Sequence, residues 1–209
     1  MMVRSRFQTL VGCFALALVL AGCSSTGPGP RIPVIIEDPI AVDGAAVSPL
    51  TFSGVVVAIE PDTRLGFHYE GAGMAKSYDY RWGPNFSQKT VEMNDDVLDI
   101  LGDAGYRTLR WPAGGVKETP AGETVLVLKA TVSQLEFNSF TTAGGYYQAY
   151  CAVLWDLTDP QDGTSLFKTS TEGYKKEIEH NAGVLGKAFD QALRNLLADQ
   201  GFVDAMPGK

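Results

Sequence analysis

The chain has 209 residues, 45% of them hydrophobic, and a formal net charge of −7. That length and apolar content support one domain with a real core. The acidic balance excludes nucleic acid as a partner, because phosphate binding needs a basic footprint.

Arg4 and Arg6 precede an apolar run from Leu10 to Leu20. At about 11 residues the run is too short to span a bilayer, which needs roughly 20. It closes on Leu20-Ala21-Gly22-Cys23, followed by Ser24 and Ser25. This order of charge, apolar run, small residues and cysteine resembles the bacterial lipoprotein signal, or lipobox. The resemblance implies removal of residues 1–22, a diacylglyceryl group on the Cys23 thiol and acylation of its new amine. Each buried methylene adds about 0.8 kcal/mol, so two or three chains hold a protein on a membrane firmly. The lipid is then the membrane attachment, since an acidic domain is not drawn to an anionic surface. Ser24 stands where Asp tends to retain such proteins in the inner membrane, which points to the outer membrane, facing the periplasm. The alternative is an ordinary cleaved signal in which Cys23 merely lies near the cut.

Removal of residues 1–22 leaves 15 basic residues against 24 acidic ones. Cys13 departs with the signal and Cys23 is acylated, so Cys151 is the remaining thiol and no intrachain disulfide forms. Its apolar strand context predicts a buried structural cysteine.

Residues 23–50 read as a tether. Pro28, Pro30, Pro33, Pro39 and Pro49 interrupt any helix or central strand. Val34-Ile35-Ile36 is the stretch with the character of an edge strand. The folded domain is expected over residues 51–209. Val55 to Ile59 suits a strand buried on both faces. Leu65 to Phe86 combines glycine and proline breakers with six aromatics and reads as an aromatic loop.

A first helix is predicted from the apolar stripe Val91, Val97, Leu98, Ile100, Leu101 and Ala104, with Ser87 as N-cap and Gly105 as C′ residue. Strands follow at Arg107–Trp111, Thr124–Phe137, Tyr147–Leu157 and Thr164–Tyr174, the last two joined by a turn at Asp159–Gly163. A second helix carries Val184, Leu185, Ala188, Phe189, Ala192, Leu193, Leu196 and Leu197, capped by Asn181 and ended by Gly201. Its opposite face, with Lys187, Asp190, Gln191 and Arg194, is expected in solvent. The helix ends Leu101…Gly105-Tyr106 and Leu197…Gly201-Phe202 match, either as shared Schellman ends or as an internal repeat. The fold class is α+β: a compact, mostly antiparallel sheet of four to five strands with two helices on one face.

No phosphate loop, zinc motif or nucleophile elbow is present. No cofactor and no metal are expected, and no enzymatic activity. His68 and His180 are the two histidines, and solvated or capping roles are the default for both. Tyr78, Tyr80 and Trp82 form the first partner-binding candidate, because clustered Tyr and Trp anchor recognition surfaces; the plain alternative is that they close the core. Tyr146 and Tyr147, in the loop from Asn138 to Gln148, form the second, against a simple hairpin turn.

The aromatic segment ending in Trp82 and Pro84, the helix running to Gly105-Tyr106, the Trp155-Asp-Leu-Thr-Asp…Gly163 hairpin and the last helix together resemble ABC-transport auxiliary lipoproteins, the PqiC-like group. The layout over residues 52–203 is also similar to the envelope lipoproteins LptE and YajG. The resemblance implies a binding or scaffold accessory that works with an envelope protein in transport or assembly. An envelope hydrolase and a purely structural lipoprotein are the alternatives.

Overall fold

The computed structural model describes residues 33–36, 38–71, 75–87, 91–110, 124–141, 145–178 and 183–207. The strands are β1 (Leu50–Val57), β2 (Arg64–Glu70), β3 (Ala75–Arg81), β4 (Leu126–Phe140), β5 (Tyr146–Thr158) and β6 (Ser165–Ile178). The helices are α1 (Pro84–Ser87), α2 (Glu92–Asp95), α3 (Val97–Asp103), α4 (Val184–Leu197) and α5 (Gln200–Asp204). The fold is α+β, as expected, but the sheet has six strands in the order β3-β2-β4-β5-β6, with β1 also paired to β4. The additional strands come from the aromatic stretch, which is the hairpin β2–β3 and not a loop. Bulges between Arg64 and Gly66 and between His68 and Tyr69 break its alternation, which hid the period from the sequence.

The long antiparallel strands obey period 2. On β5, Ala149, Cys151, Val153, Trp155 and Leu157 are buried on one face, and α4 lies over them. Trp155 and Phe189 rings sit 5.4 Å apart. The Trp155 Nε1–H donates to Thr171 Oγ1 at 2.7 Å, and Thr171 donates in turn to the Ala192 carbonyl at 2.6 Å. The one indole donor under α4 is thereby satisfied, which removes the cost of burying it. Cys151 is fully buried, and desolvation pushes its thiol up to about 12, so it is an inert core residue. The Asp159–Gly163 turn is present, with the Gly163 N–H donating to the Asp159 carbonyl at 2.9 Å.

Strand β6 and α4 meet at Gly173. A Cβ there would lie 1.9 Å from the Ala188 carbonyl oxygen and 2.6 Å from the Ala192 nitrogen. Only glycine permits this approach, because both obstacles are backbone.

Within the described residues the first expected helix is instead two short ones, α2 and α3, and α1 precedes its expected N-cap. Asp96 breaks it between α2 and α3. The Ser87 side chain lies outside the described residues, as do Asn181 and Trp111; Arg107–Arg110 contributes a single bridge, Thr108 to Leu50. The α3 end is a Schellman motif: Tyr106 N–H bonds Leu101 O at 3.0 Å and Gly105 N–H bonds Gly102 O at 2.9 Å. The matching end of α4 is different. Asp199 is extended and caps α5 through the Gly201 N–H at 2.8 Å. Tyr106 and Phe202, the residues that suggested a repeat, are both buried and pack together at 5.8 Å.

The boundary near residue 51 also moves. The compact unit begins at Pro33. Ile40 N–H bonds the Leu197 carbonyl and Val42 N–H the Ala104 carbonyl, each at 3.0 Å, while Leu126 N–H bonds the Pro49 carbonyl at 2.9 Å. Residues 33–36 and 38–50 are therefore tied to the domain by hydrogen bonds. Val34–Ile36 does dock, but on α4 side chains, not as a sheet edge. The α4 face expected in solvent is half-buried at Asp190 and Gln191 for related reasons. Burial first, then the Asp96 charge, raise the Asp190 carboxyl to about 6, against partial relief from Arg194 and Lys187.

Two predictions follow from this packing. Gly173→Ala should cost at least about 2 kcal/mol by overpacking, whereas Gly102→Ala, where nothing lies within 4 Å, should gain about 0.5 kcal/mol from helix propensity. Chemical denaturation of both variants checks the signs. Because the folded Asp190 carboxyl holds its proton more tightly than the unfolded one, stability should fall as pH rises through about 4 to 6. Asp190→Asn should flatten that fall and add about 1 kcal/mol at pH 7.5, a figure already reduced for solvent screening.

Candidate functional site

Strand β2 reaches β4 through two residue pairs only, His68↔Ser139 and Tyr69↔Phe140. The approach depends on Gly66, where a Cβ would stand 2.0 Å from the Phe137 carbonyl oxygen. Alternation then divides the side chains between the two faces of the sheet, and each face carries its own cluster.

On the helix-side face, Ser139 Oγ lies 2.5 Å from His68 Nδ1 and 2.8 Å from Tyr80 OH. His68 Nε2 lies 3.1 Å from Glu70 Oε1. Tyr78 stacks on the His68 ring at 4.6 Å and its hydroxyl is 3.4 Å from that of Tyr80. Phe137 meets Tyr80 at 4.8 Å and Tyr147 at 6.4 Å. Burial raises the Tyr80 phenol to about 12, the Ser139 bond opposing, so the hydroxyl stays protonated at neutral pH. His68 is buried and bonded, not solvated; His180 lies outside the described residues. Glu70–His68–Ser139 has the connectivity of a nucleophile, base and orienting acid. Ser139, however, is 0% exposed, with Tyr80 against its oxygen. The cluster satisfies buried polar groups at the strand junction.

On the opposite face, three rings stack across three strands. Tyr69 lies 4.6 Å from Phe140, which lies 4.2 Å from Tyr146. Phe67 joins edge-on to Tyr69 at 5.9 Å. Lys176 Nζ sits 3.8 Å over Tyr146 and Lys76 Nζ 3.6 Å over Phe67. Each ring of the row has another ring or a cation against it, and Phe140 in its middle is buried.

The sequence candidates are thus divided. Tyr78, Tyr80 and Tyr147 are on one face, Tyr80 and Tyr147 meeting Phe137 and Tyr78 lying against Tyr80 and His68, while Tyr146 points to the other. Tyr80 and Trp82 are half-buried against the core, and Tyr78 is 51% exposed on the edge strand β3. Cys23 lies outside the described residues. The pairing of His68 with Ser139, 71 positions apart, and the Phe67–Tyr69–Phe140 row escaped sequence reading. Their only local trace is the i, i+2 spacing of His68 with Glu70 and of Phe67 with Tyr69. Among the described residues no three His, Cys, Asp or Glu gather as metal ligands, and no helix is long and apolar enough to cross a membrane.

No protein-family model and no curated protein matches the chain. Among solved structures it is similar to a Xanthomonas campestris protein of the DUF330 family, at 14% identity and TM-score 0.44 over 83% of this chain and 93% of that one. It is similar to a neuraminyllactose-binding hemagglutinin homologue from Helicobacter pylori, at 8% identity and TM-score 0.41 over 82% and 95%. It is also similar to a minor lipoprotein from Acinetobacter baumannii, at 11% identity and TM-score 0.31 over 78% and 98%. Likeness at this level assigns neither a family nor an activity.

The buried cluster generates a stability prediction. Ser139→Ala leaves His68 and Tyr80 without their shared partner and should cost about 1–3 kcal/mol. Ser133→Ala, whose hydroxyl bonds a carbonyl at the exposed surface of the same strand, should change stability by less than about 0.5 kcal/mol. Equal effects in urea unfolding would contradict the account.

Proposed function

We propose that this protein is a lipid-anchored envelope lipoprotein, held at the outer membrane and facing the periplasm, whose domain is a non-enzymatic binding or scaffold accessory of a transport or assembly system. The anchor rests on the Arg4, Arg6, apolar run and Leu20-Ala21-Gly22-Cys23 order. The observation that carries the binding role is strand β3. It is the outermost strand on its side of the sheet, exposed along nearly its whole length, and it holds Tyr78 half in solvent over the His68 ring. Among the described residues no further strand pairs with β3, and an open strand edge beside an exposed tyrosine offers a partner both backbone hydrogen bonds and an aromatic anchor. Tyr80, Trp82 and Tyr147 then act as the packed support of Tyr78.

A hydrolase reading has the Glu70–His68–Ser139 line in its favour. Burial of Ser139 weighs against it.

Intact mass of membrane-extracted protein should show loss of residues 1–22 and added lipid at Cys23; a water-soluble mature chain starting elsewhere ends the anchor reading. Tyr78→Ala should keep stability within about 1 kcal/mol while lowering partner capture in cross-linked pull-downs from intact cells. Unchanged capture would remove β3 as the partner surface. Ester turnover by the purified protein, lost in Ser139→Ala, would favour the hydrolase.

A further inference from the structure

Gln191 and Asn195, one turn apart on α4, grip the backbone of Val34–Ile36. Asn195 Oδ1 accepts the Ile36 N–H at 3.2 Å, and its Nδ2 donates to the Val34 carbonyl at 2.9 Å. In extended chain the carbonyl of one residue and the N–H two residues on project from the same edge. One carboxamide therefore serves both, as the peptide group of a neighbouring strand would. The second Nδ2 hydrogen donates to the Glu172 carbonyl on β6 at 2.8 Å. Gln191 Nε2 donates to the Ile36 carbonyl at 2.8 Å and to Asn195 Oδ1 at 3.1 Å. Both N–H donors of each amide are used.

Of the held side chains Pro33 and Ile36 are half-buried, and the other two contribute little. Val34 is 77% exposed and Ile35 48% exposed. The contacts are to backbone, so they recognise extended conformation more than side-chain identity. The next backbone tie along the chain is Ile40 to Leu197.

We propose that Gln191, Asn195 and the β6 edge form a binding site for an extended peptide backbone, that its occupant is residues 33–36 of the chain's own tether, and that the grip sets how far the domain stands from the membrane. The last step rests on the lipid-anchor reading. The ten residues from Cys23 to Pro33 can span at most about 30 Å at a Pro-rich rise, and with the grip released the seventeen to Ile40 can span about 50 Å.

The test compares the lipidated full chain with its Gln191→Ala/Asn195→Ala form on bilayers of phosphatidylethanolamine and phosphatidylglycerol. Exchange of the Ile36 amide should quicken by at least about tenfold in the variant, with Ala188 in α4 unchanged as the sign of an intact fold. Neutron reflectometry should place the domain up to about 20 Å further out. Unchanged Ile36 exchange overturns the site. Faster exchange at unchanged height overturns the spacing role. If the protein does not float with vesicles, the anchor reading and the spacing role fail together, while exchange, which needs no bilayer, still decides the grip. Should the double variant lose its fold, Asn195→Leu keeps the approximate shape, removes the Oδ1 that accepts the Ile36 N–H and should shift Ile36 exchange in the same direction.

Discussion

Between Gly173 and the carbonyl of Ala188 there is no room for a methyl group. That single approach brings the backbone of α4 against β6, and much of the molecule depends on it. It places Ala192 where Thr171 can donate to its carbonyl, and Thr171 where it can satisfy the buried Trp155 indole. It seats Phe189 on Trp155 in the middle of the sheet. It also turns the outer flank of α4 toward the β6 edge, where Asn195 spans from the Glu172 carbonyl to the tether. One helix thus closes the core on one side and holds the incoming chain on the other.

The far end of the sheet is secured differently. Two residue pairs join β2 to β4, too few to fix a strand by backbone bonding alone. Each pair is reinforced on its own face: His68 with Ser139 toward the helices, Tyr69 stacked on Phe140 away from them. A hydrogen bond and a ring stack on opposite faces resist rotation of the hairpin in both senses. This firmness lets β3 remain an exposed edge strand, since its position is set by β2 and not by a further neighbour.

The parts of this arrangement readable from sequence are those with a sustained period. Strands β4, β5 and β6, the Asp159–Gly163 turn and the α4 stripe all repeat at 2.0 or 3.6 residues over two turns or more. Cys151 was legible for the same reason. The hairpin β2–β3 was not, because its bulges interrupt the alternation and its glycines read as breakers. Gly66 is a packing device there, not a loop signal. The stripe from Val91 to Ala104 was legible as apolar, but its break at Asp96 was not. The tether illustrates a different limit: proline content denies residues 33–36 and 38–50 a helix, yet Ile40 and Val42 bind through backbone N–H groups that every residue but proline possesses. The pairing of His68 with Ser139 is set by the parallel register of β2 and β4, which no local pattern encodes.

The dependence of the domain on α4 is tested most directly by native-state hydrogen exchange. If α4 and the central strands are one cooperative unit, the amides of Ala192 and Leu193 should exchange only through global unfolding, with the same free energy as Cys151 and Val153 on β5. Exchange of the α4 amides at a free energy well below that of β5 would mean that the helix opens by itself, and would contradict the account.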